Sequence, residues 1–286
     1  SDDPIGVSKS LKYYTDLSKI DQYKRNVEDA NSWMKETESA LNEIGEVLHR
    51  GYALSVQMAN GTYPDDALLK TKEEISQLKE HLIQISNTTY AGRHIFTGYK
   101  TDQDLLDESG KYKLGDSAAK LSTTEVVEYN VGVSESVKVN TVGIKVFGVG
   151  TVDDVEGNPP KNPFYKAEAS TGEPSYLISV FEKFEKALGD PENNKGQIDK
   201  TIGRMQTCMD QVLSVRSEIG AKMKRLELTT KKLTSQDLSI QELITKNEGI
   251  NPAEVITNLK TEENIYRASL ATGAKIIQPS LIDFLR

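Results

Sequence analysis

"MQTCMDQVLSVRSEIGAKMKRLELTTKKLTSQDLSI", residues 205–240, carries an apolar residue at every seventh position: Met205, Val212, Ile219, Leu226, Leu233 and Ile240. A heptad row held over six positions argues a long, nearly straight helix with a gentle left-handed supercoil. The row expected beside it is mixed: Ile202, Met209, Arg216, Met223, Thr230, Asp237 and Ile244. Its polar members argue against a simple closed dimer of two helices and leave two readings, solvent or another subunit. Proline supports the length, because a helix interior excludes it. The nine prolines leave residues 5–63 and 192–251 entirely free.

The first of these gaps has the same rhythm. Ile20, Val27, Met34, Leu41 and Leu48 recur every seven residues, Trp33, Ala40, Val47 and Leu54 make a second row, and Ala30, Ile44 and Met58 partly fill a third. Three adjacent rows form a broad apolar stripe, which suits a helix buried in a bundle. Asn60-Gly61-Thr62-Tyr63-Pro64 ends it, with glycine as C-cap and proline opening the next helix. That next helix carries Leu68, Ile75 and Leu82 on one row and Thr71, Leu78 and Ile85 on the other. A shorter helix is expected over roughly 176–188, closed by Gly189-Asp190-Pro191.

Between the helical blocks the period changes to two. In 125–152, Val127, Tyr129, Val131 and Val133, then Val137 and Val139, then Val142, Ile144 and Val146 alternate, punctuated by Gly132, Gly143 and Gly148. This reads as short antiparallel strands. Residues 153–175, with four prolines, read as loop. The fold expected is mainly α with a β-rich insert: an elongated long-helix bundle built from an N-terminal and a C-terminal arm. Residues 1–100 plus 176–250 form the bundle, with Val27, Met34, Leu41, Leu48, Leu78, Leu82, Val212, Ile219, Leu226 and Leu233 as its core. Residues 101–175 form the insert, projecting from the end of the bundle. The last block, 251–286, carries a helical stripe through Val255, Ile256, Leu259, Tyr266, Leu270 and Ile277. After Pro279 it ends in "SLIDFLR", with Leu281, Ile282, Phe284 and Leu285. Chain ends are usually polar and exposed, so an apolar one should be tied to a partner. The opening "SDDPIG" (1–6) has no Met and reads as the middle of something, so the expected partner is a helix upstream of Ser1.

Chemistry is sparse. The net charge of −8 disfavours nucleic acid, which needs a basic face. Counting Gly in place of Tyr, the apolar share is roughly 40%, below the usual range of about 45–50%, so the cores are thin. The single cysteine, Cys208, allows neither an internal disulfide nor a multi-cysteine metal site. No run approaches the ~18 apolar residues of a membrane span. His49, His81 and His94 show no ligand spacing, and nucleotide-binding and nucleophile-elbow motifs are absent from the sequence. Asp153–Asn158 lacks the alternation of a calcium loop. Asn60-Gly61-Thr62 and Asn87-Thr88-Thr89 match a glycosylation acceptor pattern that is common by chance. No catalytic residue, metal or cofactor is expected.

Five stretches carry a resemblance. "NVEDANSWMKETESALNEIGEVLHRGYALSVQMANGTY" (26–63) resembles the first long core helix of the bacterial flagellin family. "NTTYAGRHIFTGYKTD" (87–102), "VGIKVFG" (142–148) and "EENIYRASLATGAKIIQPSLIDFLR" (262–286) resemble its hook–filament junction branch. "SDDPIG" resembles the end of the family's N-terminal assembly segment. The match covers both helical arms and weakens across 103–135.

The resemblance implies a non-enzymatic structural subunit of the flagellum, an adaptor between hook-associated protein 1 and the flagellin filament, with flagellin itself as the alternative. It implies export in unfolded form through the flagellar type III apparatus and a C-terminal segment that binds a dedicated export chaperone. Self-association in a ring of the flagellar tube is implied too, with an outward-facing insert. Leu259, Tyr266, Leu270, Ile277, Leu281 and Phe284 are the candidates for assembly and chaperone contact. It also implies an N-terminally truncated chain, which should fold but not polymerise. A coiled-coil surface adhesin would not need the apolar C-terminus. A flagellin-type protease would need an H-E-x-x-H helix that none of the three histidines makes.

Overall fold

The computed structural model describes residues 4–60, 64–116, 118–157, 162–249 and 252–277. In chain order the elements are α1 (Pro4–Ala59), α2 (Asp65–Ser86), β1 (Thr89–Tyr90), β2 (Arg93–His94), β3 (Lys120–Ser122), β4 (Glu128–Gly132) and β5 (Glu135–Lys138). There follow α3 (Ile144–Phe147), α4 (Val152–Val155), β6 (Glu168–Ser170), α5 (Tyr176–Gly189), α6 (Pro191–Glu248) and α7 (Pro252–Ile277). The chain divides into two compact units: a core unit, Asp21–Leu233, and a terminal unit, Ser1–Ile20 with Thr234–Arg286.

In the core unit α1 buries most of its three rows, with Trp33 half-buried. Val27, Met34, Leu41 and Leu48 lie on one, Ala30, Thr37, Ile44 and Met58 on the next, and Ala40, Val47 and Leu54 on the third. α6 runs antiparallel to α1. Glu38 meets Arg216 at 2.6 Å, and further along α1 Gly51 meets Met205. At Gly51 a Cβ would stand 3.1 Å from the Phe181 ring and 3.3 Å from the Met205 methyl, so a larger residue would make both side chains give by a few tenths of an ångström where α1 meets α5 and α6. α5 is amphipathic, burying Tyr176, Leu177, Ile178, Val180, Phe181, Phe184, Ala187 and Leu188 and keeping Glu182, Lys183, Glu185 and Lys186 on its less buried side. Ser175 caps it by accepting from the Ile178 amide. α2 covers α5, with Ile75 and Leu82 fully buried and Lys79 donating to Glu185 at 2.7 Å.

α6 departs from expectation in its second row. Met205, Val212, Ile219, Leu226 and Leu233 are buried. Their buried companions are Thr201, Cys208, Val215 and Thr229, with Lys222 at the same heptad place and its side chain only 23% exposed. The seam therefore falls three residues after each strict-row position, not four. The mixed row carries cross-helix polar ties instead: Arg216 donates to Glu38 through Nη2 at 2.6 Å and Nε at 3.1 Å. α6 is also broken once, at Asn194, where φ is −118° and ψ 16°.

Among the described residues there are three two-stranded antiparallel sheets: β1–β2 follows α2 ahead of the insert, and the insert holds β3–β6 and β4–β5. Val142, Ile144 and Val146, expected as strand, differ: Ile144–Phe147 is a single helical turn, with Ile144, Val146 and Phe147 all buried. A segment covered on all sides loses the one-sided burial that makes alternation informative. Gly148 reverses the chain at φ +64°, and its carbonyl accepts from the buried Tyr112 hydroxyl at 2.7 Å. The region 153–175, expected as loop, contains β6, whose residue Ser170 pairs with Lys120 fifty positions earlier, and adjoins α4. A reciprocal capping box of Thr151 and Asp154 fixes α4. Phe96 packs edge-on to Phe147, with ring centres 5.8 Å apart.

Candidate assembly surface

The chemistry-bearing side chains of the described residues are used structurally. His49 and His81 are exposed. His94 lies 3.7 Å from Asp104, which also holds Lys113 at 2.9 Å. No group of His, Cys, Asp and Glu able to hold a metal occurs among the described residues. Burial pushes the Cys208 thiol up to about 12, so it stays an unreactive thiol at neutral pH. Asn87, one of the two glycosylation-pattern residues, is committed to the fold. Its amide donates to the Leu106 carbonyl at 2.9 Å and accepts from the Leu105 and Leu106 amides at 2.8 and 3.1 Å. Arg204, only 4% exposed, makes a bidentate pair with Glu156 at 2.5 and 2.8 Å. That hydrogen bonding to Arg204, more than any other cause, holds the Glu156 carboxyl below its ordinary range.

The core unit exposes scattered large apolar residues, Leu69, Tyr99, Val133, Tyr165, Leu213 and Leu228, but the longest exposed apolar stripe lies in the terminal unit. From Pro252 to Thr272 every residue of α7 is exposed. Leu259 is 66% exposed, Tyr266 65% and Leu270 56%, together with Val255, Ile256 and Ile265. Ile256, Leu259, Tyr266 and Leu270 fall on one helical stripe that is interrupted by Glu263, which is occupied by Arg267 at 2.7 Å. Ile277 ends α7; Leu281 and Phe284 lie outside the described residues. No helix among the described residues is long and apolar enough to cross a membrane.

The same holds for the ends of the two long helices inside this unit. Ile5, Val7, Leu11 and Tyr14 of α1 and Leu238 and Leu243 of α6 are exposed. What joins these ends is polar. Asn247 donates to the Gly6 carbonyl at 2.9 Å and to Ser10 at 2.7 Å, and the Tyr14 hydroxyl donates to Glu248 at 2.9 Å. Among the described residues of the terminal unit, Ile20 alone is buried.

The expected core positions Val27, Met34, Leu41, Leu48, Leu82, Val212, Ile219, Leu226 and Leu233 are buried in the core unit, and Leu78 is half-buried. Cys208, expected as a buried inert thiol beside Met205 and Met209, is buried. Sequence reading passed over Thr201, Thr229 and Arg204. The first two were detectable only as a period of seven in small polar residues.

Comparison with known proteins gives these two units a context. The bacterial flagellin N-terminal helical region matches residues 1–101 and the flagellin C-terminal helical region matches 202–285, together about two-thirds of the chain. Flagellar hook-associated protein 3 of Escherichia coli (strain K12) is 28% identical over 233 residues, covering 79% of this chain and 69% of its own length. A flagellin of Salmonella berta is also 28% identical, but over 63% of this chain and 32% of its own length. Among solved structures, flagellar hook-associated protein 3 of Legionella pneumophila superposes with a TM-score of 0.66 at 17% identity, covering 84% of this chain and 99% of that one. With both helical ends matched and the relative of higher coverage bearing the junction protein's name, the chain belongs to the bacterial flagellin family, on the branch of flagellar hook-associated protein 3.

Proposed function

We propose that this chain joins hook-associated protein 1 to the flagellin filament, as a non-enzymatic structural subunit that associates with its own copies in a ring of the flagellar tube. The observation that carries this reading is the unpartnered apolar surface of the terminal unit beside a finished core unit. Burying a large apolar side chain is worth about 1.5–3 kcal/mol. The six exposed on α7 would together contribute on the order of 10 kcal/mol in an assembly, enough to offset the ordering that association costs. Leu259, Tyr266, Leu270, Ile277, Leu281 and Phe284 are assigned to these contacts, with the insert 101–175 facing outward. Ile277, Leu281 and Phe284 also bind an export chaperone before passage through the type III apparatus to the cell exterior. No nucleic acid or membrane enters this function.

The test is growth of the protein, carrying the N-terminal assembly segment of its family, on isolated hooks capped with hook-associated protein 1, followed by flagellin and examined by electron microscopy. A short distal layer that stops by itself and then supports flagellin growth is the expected result. Long filaments of this chain alone would make it a filament subunit, the reading that the shorter flagellin match opposes.

A further inference from the structure

Two helices alone bury only the narrow seam between them; burying a broad apolar stripe takes a further layer over their groove. In the core unit α5 and α2 provide that layer beside residues such as Gly51 and Met205. Near the other end of the unit Val27 and Leu226 are still buried, although a cleft opens on one side of them between Glu28, Lys224 and Lys231, and the insert element that reaches these helices is the β4–β5 hairpin.

The hairpin is two-faced. Tyr129 pairs with Val137, and an extra residue, Val131, sits between the Asn130–Ser136 and Gly132–Glu135 pairs. Such a bulge turns its side chain to the face of the residue opposite it. Val131, Glu135 and Val137 therefore share one face, and Val131 and Val137 are buried. Glu128, Asn130, Ser136 and Lys138 occupy the other, exposed face, where Ser136 donates to Glu128 at 3.0 Å. The buried face lies against α6, because Glu135 meets Arg225 at 3.2 Å, Thr229 at 3.5 Å and Lys232 at 3.8 Å. α1 is tied as well: the Asn26 amide donates to the Asn130 carbonyl at 2.6 Å. The Ser136 carbonyl accepts from Arg225 at 3.4 Å.

We infer that the β4–β5 hairpin is the clamp that fixes where the packed core ends. It supplies the third layer over α1 at 26–30 and α6 at 225–233. The core unit stops at Asp21 and Leu233, just past the hairpin's last contact at Lys232. The insert thus sets the length of helix that is rigid in the free subunit.

Hydrogen–deuterium exchange of the full chain tests this, with Val131→Ser to unseat the hairpin and Glu135→Gln to remove only its charged ties. In Val131→Ser, amides of 21–33 and 222–233 should exchange about tenfold faster, while 40–58 and 201–215 keep their rates. Glu135→Gln should give the same pattern at a few-fold. Faster exchange confined to residues 128–138 would overturn the inference, since the hairpin would then be a passive cover. Uniform acceleration across both stretches of α1 and α6 would overturn it too, since no boundary would exist to be moved.

Discussion

The core unit and the terminal unit share two helices yet differ in what those helices touch. In the core unit α1 and α6 carry three layers of neighbours and bury residues such as Met34, Leu41 and Leu48 completely. In the terminal unit the same two helices, joined by α7, bury Ile20 alone among the described residues and expose Leu11, Leu238, Leu259 and Leu270. The apolar content of the two is not what separates them. A broad helical stripe becomes a core only where further elements cover it, and the described stripes of the terminal unit stay exposed.

The difference can be broken from the core side first. Leu48→Ala should cost about 3 kcal/mol, from lost burial plus the cavity it leaves, read as a lower denaturant midpoint at unchanged slope. Arg204→Met comes next, at roughly 2 kcal/mol: it strands Glu156, but that carboxylate is 37% exposed and regains water. This pair also has a pH signature. Glu156 has its folded pKa depressed, so its stabilising contribution is present above the ordinary carboxylate range and is lost as pH falls through the folded value. Wild-type stability should drop over that acidic window, and Arg204→Met should flatten the drop, as acid titration of thermal unfolding would show. Asn87→Ala should cost about 1–2 kcal/mol, since it leaves the Leu105 and Leu106 amides unpaired.

The terminal unit should answer in the opposite way. Leu259→Asp with Leu270→Asp should shift unfolding by no more than about 0.5 kcal/mol, as exposed positions do, yet should abolish the distal layer on capped hooks. A large loss of thermal stability would place these residues in the monomer's core and erase the contrast.

Much of this contrast is legible in the sequence. The rows through Val27–Leu48 and Met205–Leu233 are apolar at fixed spacing, and both turn out buried. α7 reads as a stripe at the same spacing, and nothing in a stripe says whether its partner lies in the same chain. The second seam of α6 escaped because Thr201, Cys208, Lys222 and Thr229 are small or polar, and a period of seven in such residues does not stand out against ordinary surface. Ile144 and Val146 were misread as strand because alternation signals a strand only when one face meets water. β6 was missed because its pairing with β3 is long-range, with Glu168–Ser170 read locally as part of a proline-rich loop. Arg204 is invisible to periodicity, since its burial depends on Glu156 arriving from the insert.

The most direct test of the two-unit account is limited trypsin digestion of the free chain and of the protein, carrying its family's N-terminal assembly segment, assembled on capped hooks, read by mass spectrometry. In the free chain, cleavage should begin at Lys246, Lys260 and Arg267 and leave a resistant fragment spanning about 21–233; in the assembled state those three sites should be protected. First cuts inside 21–233, or terminal sites equally resistant in both states, would contradict it.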